Sequence, residues 1–273
     1  MYFVFFVVKL FPSHYETFPM TELTAFRIII LISFIIAAGI FIALFFIAAP
    51  YGRHARRGWG PSLPTWLGWL LMESVSAVTM LVMFVLGDAP KTIPLILFFL
   101  LWEGHYINRS YVYPFLLRDG KKKMPLLVVL MAVIFNLGNG YLNGRYLFHF
   151  SGTRYTTDWL LDPRFLIGAL LFVSGFAINH WADKRLRRLR QPGETDYKIP
   201  RGGLYEYISC PNYFGEILEW FGWAIATWSL AGLTFAIWTF ANLAPRAWSH
   251  HKWYRKTFAE YPANRKAIIP GVW

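Results

Sequence analysis

The most constraining feature of this chain is an uninterrupted apolar run over residues 28–49. It contains no charged residue, and Ser33 is its only polar side chain. An α-helix of about 20 apolar residues is long enough to cross the roughly 30 Å hydrocarbon core of a bilayer. The run therefore predicts a transmembrane helix, and the remaining chain is expected to fold in or against the same membrane.

Composition extends this prediction to the whole chain. Of the 273 residues, 56% are hydrophobic and only 15% are charged, whereas soluble domains carry about 25% charged residues. We predict an all-α, polytopic membrane protein with seven transmembrane helices, six or eight being the alternatives, in a single domain over residues 1–273. Met20 offers an alternative start, which would make residues 1–19 dispensable. The six further predicted spans are residues 65–86, 92–117, 124–142, 165–183, 213–227 and 230–245.

The net charge of +12 is concentrated in alternate loops. Lys and Arg cluster after the first, third, fifth and seventh spans, whereas the other loops hold few basic residues, among them Lys91, Arg145 and Arg154. Because loops rich in Lys and Arg face the cytoplasm, the N-terminus is predicted outside and the C-terminus in the cytoplasm. This topology explains the positive charge without a nucleic acid partner, and no obligate protein partner is evident. The membrane is predicted to be a bacterial inner membrane or the endoplasmic reticulum.

Glu73 is a lone carboxylate in the middle of the second predicted span, in "WLLMESVSAV". A charge at this depth costs roughly 2.5–3.5 kcal/mol on insertion scales, so its presence needs a reason. A hydrogen bond between packed helices is one explanation. The pattern favours the other explanation, which is a catalytic or ligand-binding acid.

The third predicted span ends in the polar stretch "HYINRSYVY". Tyr106, Arg109 and Tyr113 follow the spacing i, i+3, i+7, which predicts that they share one helix face. His105 and Asn108 lie beside that face. We expect this half of the helix to face the bundle interior, although Arg109 alone could instead extend to lipid headgroups.

The fifth predicted span ends in "NHWADKRLRRLR". Asn179, Asp183, Arg187 and Arg190 are spaced four, four and three residues apart, which again places them on one face. An ion pair with the neighbouring cations is an alternative role for Asp183. The basic residues here and in the following loop, including Lys198, are suited either to anionic lipid headgroups or to a phosphorylated ligand.

The segment "GGLYEYISCPNYFGEILEW" brings several polar residues to the start of the sixth predicted span. Pro211 suits the first turn of a helix, and Asn212 adds an amide. Glu216 and Glu219 follow at i, i+3, and we expect them to pair with Arg or to bind hydroxyl groups of a ligand. The C-terminal segment adds adjacent His250 and His251 on an aromatic and basic helix, which could also lie on anionic lipid.

Several motifs are absent. "GNGYLNG", residues 138–144, has the wrong spacing for the dinucleotide-binding turn G-x-G-x-x-G and ends a membrane span. The sequence has no P-loop, HExxH or GxSxG motif. Cys210 is the single cysteine, so an intrachain disulfide and a multi-cysteine metal site are excluded. We predict no metal.

Two long C-terminal motifs resemble those of the steroid 5α-reductase (3-oxo-5α-steroid 4-dehydrogenase) family. They are "INHWADKRLRRLRQPGETDYKIPRGGLYEYISCPNYFGEILEWFGWAIATWSL" and "HHKWYRKTFAEYPANRKAIIPGVW". A weaker resemblance extends to "HYINRSYVY", to Glu73 in "LLMES" and to "YGRH" at residues 51–54. Residues from about 165 to 273 are the most specific to the family and are expected to bind the cofactor.

The resemblance implies a seven-helix membrane enzyme that reduces the 4,5 double bond of a 3-oxo-Δ4-steroid with NADPH. Glu73 and Tyr106 match the positions that hydrogen-bond the 3-keto oxygen, and hydride is expected to reach C5 of a substrate that enters from the bilayer. Lys198 stands at a basic position where the family often has Arg. The other cofactor-binding positions of the family correspond to Tyr51, Arg109, Asn179, Asp183, Arg190, Asn212, Glu216, His250 and Tyr254.

Three alternatives stay open. The first is another reductase of carbon–carbon double bonds, either a trans-2-enoyl-CoA reductase or a sterol reductase with a different substrate. The second is a membrane lipid methyltransferase that uses S-adenosylmethionine, because a shorter version of the C-terminal motif also occurs in such enzymes. The third is a lipid- or sterol-binding membrane protein without catalysis.

Overall fold

The computed structural model describes residues 21–47, 58–117, 122–189, 194 and 196–273, and these are mostly helical. This is consistent with the predicted all-α class, and the described residues also contain two three-residue strands, β1 (Ser62–Pro64) and β2 (Lys123–Pro125). Wider π-helical turns cover Asn108–Val112 and Tyr146–Phe150, and 3₁₀ turns cover Thr157–Leu161 and Gly203–Glu206. The α-helices are α1 (Glu22–Phe46), α2 (Thr65–Leu86), α3 (Ile93–Ile107), α4 (Tyr113–Leu116), α5 (Leu126–Arg145), α6 (Pro163–Arg188), α7 (Pro211–Thr227) and α8 (Leu230–Thr257).

Among the residues that the structure describes, four helices are long and apolar enough to cross a bilayer. They are α1, α2, α6, and α5 together with its π-helical extension to Phe150. Large apolar side chains on their outer faces are exposed, such as Ile35 at 65% and Ile134 at 72%. An aqueous surface would not favour so many exposed apolar side chains, whereas lipid tails would. These helices indicate an integral membrane protein.

Polar residues before the apolar segments determine where two helices begin. The side chain of Thr21 accepts a hydrogen bond from the backbone of Thr24, so α1 begins at Glu22, ahead of the predicted residue 28. Asp162 accepts from the backbone N–H of Arg164 at 2.8 Å and also pairs with its guanidinium. These bonds lower the pKa of the Asp162 carboxyl to about 2, so it remains an ionised cap at the N-terminal end of α6.

The strands β1 and β2 hold the starts of α2 and α5 side by side. They pair antiparallel, with Leu63 opposite Met124. Further along the two helices, a Cβ on Gly140 would lie 2.9 Å from Cβ of Thr79, and one on Gly144 would lie 2.6 Å from Cβ of Met83. Glycines four residues apart allow helices to approach closely in a membrane. The stretch "GNGYLNG" is therefore a helix-packing segment.

Helices α6 and α7 pack backbone to backbone along a row of glycines. A Cβ on Gly175 would lie 2.3 Å from the backbone N of Glu219, and one on Gly215 would lie 2.5 Å from the backbone N of Asn179. Gly168 and Gly222 repeat this arrangement one heptad away. No larger residue fits without separating the helices, so this packing sets the register between the polar residues that follow on both helices.

The last helix is longer than the predicted span 230–245. It continues through a buried Pro245 to Thr257 and carries the aromatic and basic C-terminal segment. Proline has no backbone N–H, so the helical hydrogen bond to residue 241 is missing. Buried small residues such as Ala244 and Ala247 surround this position and allow close packing. One helix therefore carries apolar residues at its start and His250 and Tyr254 near its end.

An aromatic core lies between α3, α7 and α8. Trp102, Trp220, Trp223 and Phe235 are at most 5% exposed, and their ring centroids lie 4.1–6.3 Å apart. Tyr106 joins this core, with its ring 5.1 Å from that of Trp102. Such a core excludes water from the side chains that border it.

Candidate active site

Arg109 lies inside the helical bundle. Its helix passes through the π-helical turn Asn108–Val112, in which the backbone N–H of Tyr113 bonds to the carbonyl of Asn108 five residues earlier. The guanidinium carbon of Arg109 is 4.6 Å from the ring centroids of both Trp69 and Tyr113, and the side chain is only 15% exposed. An orientation towards lipid headgroups is therefore wrong for Arg109, and the predicted interior position is confirmed.

Arg109 is surrounded by two carboxylates and two amides from α6 and α7. Its guanidinium nitrogens lie 3.4 Å from Glu216 Oε2 and 3.5 Å from Asp183 Oδ2. Asn179 donates to Glu216 Oε2 at 3.2 Å and to the backbone carbonyl of Asn212 at 2.9 Å. Asn212 donates to Asp183 Oδ1 at 3.1 Å. The structure thus brings five predicted cofactor-binding residues together, and we call them the polar cluster.

The two predicted catalytic residues border the polar cluster. The carboxyl group of Glu73 on α2 interacts electrostatically with Arg109, Glu216 and His105. The phenol of Tyr106, a residue that is 2% exposed, interacts with Glu73 and Glu216. Charged groups and a phenol from four helices therefore lie within electrostatic range of one another inside the bundle. This arrangement offers a proton donor and a fixed positive charge away from bulk water.

Glu219 has a different partner from Glu216. Its Oε1 atom lies 2.8 Å from Nδ1 of His105, and both side chains are at least 93% buried. Its other oxygen, Oε2, has no hydrogen-bond partner among the residues that the structure describes. Only Glu216 therefore pairs with Arg, as expected, while Glu219 pairs with a histidine 114 residues away in sequence.

A row of asparagines on α5 forms part of the site and was missed by the sequence analysis. Asn136 donates to the carbonyl of Met72 at 2.7 Å. Asn143 donates to Asn139 Oδ1 at 3.0 Å and accepts from the indole N–H of Trp223 at 2.9 Å. The spacing of three and four residues between these asparagines was a readable signal for one polar helix face.

His250 belongs to a neighbouring group on α7 and α8. Its Nε2 atom lies 3.2 Å from the hydroxyl of Tyr213, to which Arg246 also donates at 3.3 Å. The predicted residues Tyr51 and Arg190 lie outside the described residues.

Tyr254 and Lys198 each contact a residue outside the polar cluster. The ring of Tyr254 stacks on that of Tyr261 with centroids 5.2 Å apart, and Tyr254 is 3% exposed. Lys198 forms a half-exposed ion pair with Glu194 at 2.6 Å. Their predicted cofactor-binding roles therefore stay predictions.

Ser209 joins the C-terminal segment to the start of α7. Its hydroxyl lies 2.7 Å from Nδ1 of His251 and 2.6 Å from the hydroxyl of Tyr261. Burial lowers the pKa of the His251 imidazole, and the nearby cations Arg255 and Arg265 act in the same direction. Burial also raises the pKa of the Tyr261 phenol. These side chains are therefore neutral and fix the segment that carries His250 and Tyr254.

No group of three or more His, Cys, Asp or Glu side chains in the described ranges could hold a metal ion. The clustered groups are instead amides, carboxylates, a guanidinium and a phenol. Such groups can hydrogen-bond the hydroxyl and carboxamide groups of an organic cofactor.

Comparison with known proteins identifies the family. Residues 122–273 match the sequence model of the family described as 3-oxo-5-alpha-steroid 4-dehydrogenase. The chain is 45% identical over 260 residues to steroid 5-alpha-reductase DET2 of Gossypium hirsutum, covering 93% of this chain and 99% of the relative.

Mammalian relatives agree with this assignment. The chain is 46% identical over 234 residues to 3-oxo-5-alpha-steroid 4-dehydrogenase 1 of Bos taurus, covering 84% of this chain and 90% of the relative. It is 47% identical over 222 residues to the Homo sapiens protein of the same name, covering 81% and 85%. The chain therefore belongs to the steroid 5α-reductase (3-oxo-5α-steroid 4-dehydrogenase) family, and it is an oxidoreductase that acts on CH–CH bonds.

Proposed function

We propose that this protein uses NADPH to reduce the 4,5 double bond of 3-oxo-Δ4-steroids and forms the 5α product. The observation that carries the proposal is the placement of Tyr106 and Glu73 beside the buried polar cluster. A phenol and a carboxyl can bind a ketone there, while amides and carboxylates bind a polar cofactor next to it. Membership of the steroid 5α-reductase family supports the substrate class.

The proposal includes seven membrane spans, with the N-terminus outside and the cofactor side in the cytoplasm. The seven predicted spans each coincide with a helix, if α3, the π-helical turn and α4 are taken as one rod from Ile93 to Leu116. The alternation of basic loops supports the orientation. A cytoplasmic cofactor site fits the position of the polar cluster, which precedes the basic C-terminal end of α6.

The residues of the polar cluster fit a pyridine nucleotide. Both contacts of Arg109 with carboxylates are longer than the 2.7–2.9 Å of strong charge-assisted hydrogen bonds, so its guanidinium retains donor capacity for a ligand. When bound, NADPH supplies the hydride. We propose that Arg109, Asn179, Asp183, Asn212 and Glu216 hold it, and that Tyr51, Arg190, Lys198, His250 and Tyr254 complete the site.

Tyr106 and Glu73 act on the other end of the reaction. Reduction at C5 of the enone builds negative charge on the 3-keto oxygen, and a donor aimed at that oxygen stabilises the charge. Tyr106 supplies the donor, and Glu73 shares or orients its proton. The aromatic core beside Tyr106 excludes water, which strengthens this interaction. The proton that C4 takes up comes from solvent.

The central experiment compares two substrate classes on the purified, detergent-solubilised protein. NADPH is incubated with progesterone or with a trans-2-enoyl-CoA, and products are examined by mass spectrometry for a gain of two hydrogens. We expect reduction of the steroid to the 5α product. Reduction of the CoA ester alone, or of neither compound, would contradict the proposal.

Tyr106→Phe tests the donor. We expect turnover to fall about 100-fold or more, the magnitude typical for loss of a donor at a developing oxyanion, with NADPH affinity retained. Tyr111→Phe is the matched control, because Tyr111 is 46% exposed on the same helical rod. Equal turnover in the two variants would remove Tyr106 from the mechanism.

Glu73→Gln tests the acid. The amide preserves size, so we expect a large loss of turnover with a melting temperature close to that of the wild type. A variant that is simply unfolded after purification would show that Glu73 is structural.

A further inference from the structure

We propose that a polarised chain of hydrogen bonds, from Trp223 through Asn143 to Asn139, positions the hydroxyl of Tyr106 so that its proton faces the substrate. These three are positioning residues, because they act on the reaction only through Tyr106. The inference rests on the proposed function, in which Tyr106 donates to the 3-keto oxygen.

The chain begins at a group that can only donate. The indole N–H of Trp223 donates to Asn143 Oδ1 at 2.9 Å, and an indole nitrogen has no acceptor capacity. Trp223 is 1% exposed, and its ring contacts those of Phe98 and Trp102 at centroid distances of 5.6 and 5.2 Å. The fixed indole therefore sets the orientation of the Asn143 amide, with its oxygen towards Trp223.

The orientation passes from Asn143 to Asn139. With its oxygen engaged, Asn143 presents its NH₂ group, which donates to Asn139 Oδ1 at 3.0 Å and to the backbone carbonyl of the same residue at 3.1 Å. Asn139 must then direct its own NH₂ group away from Asn143. That nitrogen is buried and has no hydrogen bond of standard geometry within the described part of the chain.

Tyr106 is the polar neighbour on which this free amide acts. The side chains of Asn139 and Ser76 lie near the phenol of Tyr106 and are able to hydrogen-bond with it. The NH₂ group of an amide has no acceptor capacity, so Asn139 cannot bind the phenolic proton. It can only donate to the phenolic oxygen, which leaves the proton of Tyr106 available for another acceptor.

A reversed Asn139 would have the opposite effect. Its Oδ1 atom would accept the phenolic proton and compete with the substrate ketone for the donor. The reversal would also place the NH₂ groups of Asn139 and Asn143 against each other. Because the indole of Trp223 can only donate, the hydrogen bonds of the chain cannot all reverse their direction. The packing of Trp223 therefore fixes which group donates at each step.

The decisive experiment is a double-mutant cycle with Asn143→Leu. In the wild-type background we expect turnover to fall about tenfold, part of the loss typical for removing the donor itself, with the Kd of NADPH unchanged. In the Tyr106→Phe background Asn143→Leu should have no further effect on single-turnover reduction, because the group that it positions is gone. Equal fold losses in both backgrounds would overturn the inference.

Thr234→Val is the matched control. Thr234 is a buried polar residue that donates to the carbonyl of Leu230 in its own helix, α8, outside the chain of hydrogen bonds. The fold change in turnover that this control causes should be the same in the wild-type background and in the Tyr106→Phe background. Failure of the proposed function can be distinguished from failure of this inference, because in the first case the wild-type protein would not reduce the steroid at all.

Asn139→Asp tests the same inference if Asn143→Leu does not fold. The carboxyl is nearly isosteric, donates when protonated and only accepts when ionised. Turnover of this variant should therefore fall as the pH rises and the new carboxyl ionises. A pH profile parallel to that of the wild type would overturn the inference.

A spectroscopic readout separates positioning from a general loss of activity. Isotope-edited infrared spectra of a steroid labelled with ¹³C at C3, bound without turnover, report the polarisation of the ketone. We expect a downshift of the carbonyl stretch in the wild type, a smaller one in Asn143→Leu and the smallest in Tyr106→Phe, in which only Glu73 is left to bind the ketone. An unchanged stretch in Asn143→Leu would contradict the proposed role.

Discussion

Replacing Gly175 by Ala tests how the packing of α6 on α7 positions the polar cluster. The added Cβ would lie 2.3 Å from the backbone N of Glu219 and 2.5 Å from the carbonyl oxygen of Gly215. Ordinary contacts of a Cβ begin at 3.4 Å, so the first distance falls short by about 1.1 Å. Backbone atoms cannot rotate away, and the two helices must separate by about this distance.

The separation has two measurable consequences. Overpacking of a close contact costs typically about 1–3 kcal/mol, so the free energy of unfolding should fall by that amount. The hydrogen bond from Asn179 to Glu216 is 3.2 Å long, and a shift of this size would break it. Hydrogen bonds to charged groups contribute about 1.5–3 kcal/mol, and we expect the Kd of NADPH to rise at least about tenfold.

The assay is thermal unfolding and NADPH titration of the purified variant. Gly39→Ala on α1 is the control, because a Cβ there meets nothing within 4 Å, and alanine favours a helix over glycine by about 1 kcal/mol in water. Gly222→Ala should destabilise the same interface with a smaller effect on NADPH, since it lies two turns from the polar cluster. If Gly175→Ala has the same thermal stability and the same Kd of NADPH as Gly39→Ala, the reasoning is refuted.

Three other perturbations give distinct results. Arg109→Lys loses the planar group that contacts two rings and two carboxylates, so the Kd of NADPH should rise about tenfold in a titration; an unchanged Kd would exclude Arg109 from the cofactor site. Arg265→Lys should lower the melting temperature, because the fully buried guanidinium bonds the carbonyl of Pro200 at 3.1 Å and the shorter ammonium leaves it unpaired; a melting temperature equal to that of the wild type would contradict this. The pKa of His251 is lowered in the folded protein, so the unfolded chain binds a proton first as the pH falls through about 6.5, and the folded state is destabilised. The melting temperature of His251→Gln should therefore fall less between pH 7.5 and pH 5.5 than that of the wild type. An identical fall in both proteins would show that His251 does not contribute.

The positions of the helices were largely predictable from hydropathy and from helix-breaking residues. The segment starting at residue 65 and the helix beginning at Pro211 follow directly from apolar runs and from the preference of proline for the first helical turn. Helix ends were less predictable, because they depend on single side-chain bonds such as that of Thr21. The π-helical turn at Asn108–Val112 has no signature that a periodic pattern reveals.

The candidate site was predictable where the residues share one helix or match the family. Asn179 and Asp183 were expected on one face, and both belong to the polar cluster. Partners far apart in sequence, such as His105 and Glu219, cannot be paired by spacing alone. Asn139 and Asn143 were missed because "GNGYLNG" was tested only as a dinucleotide motif, although its glycines serve helix packing.

The position of α1 has a consequence for biogenesis. Its most extensive packing is against α8, the last helix, whose first residue lies 184 residues beyond the end of α1. At a synthesis rate of about 5–20 residues per second, α1 leaves the ribosome roughly 10–40 s before its main partner. During this interval lipid must solvate the face that later packs on α8, which its apolar side chains allow. Assembly of the bundle is therefore completed only after α8 has been synthesised.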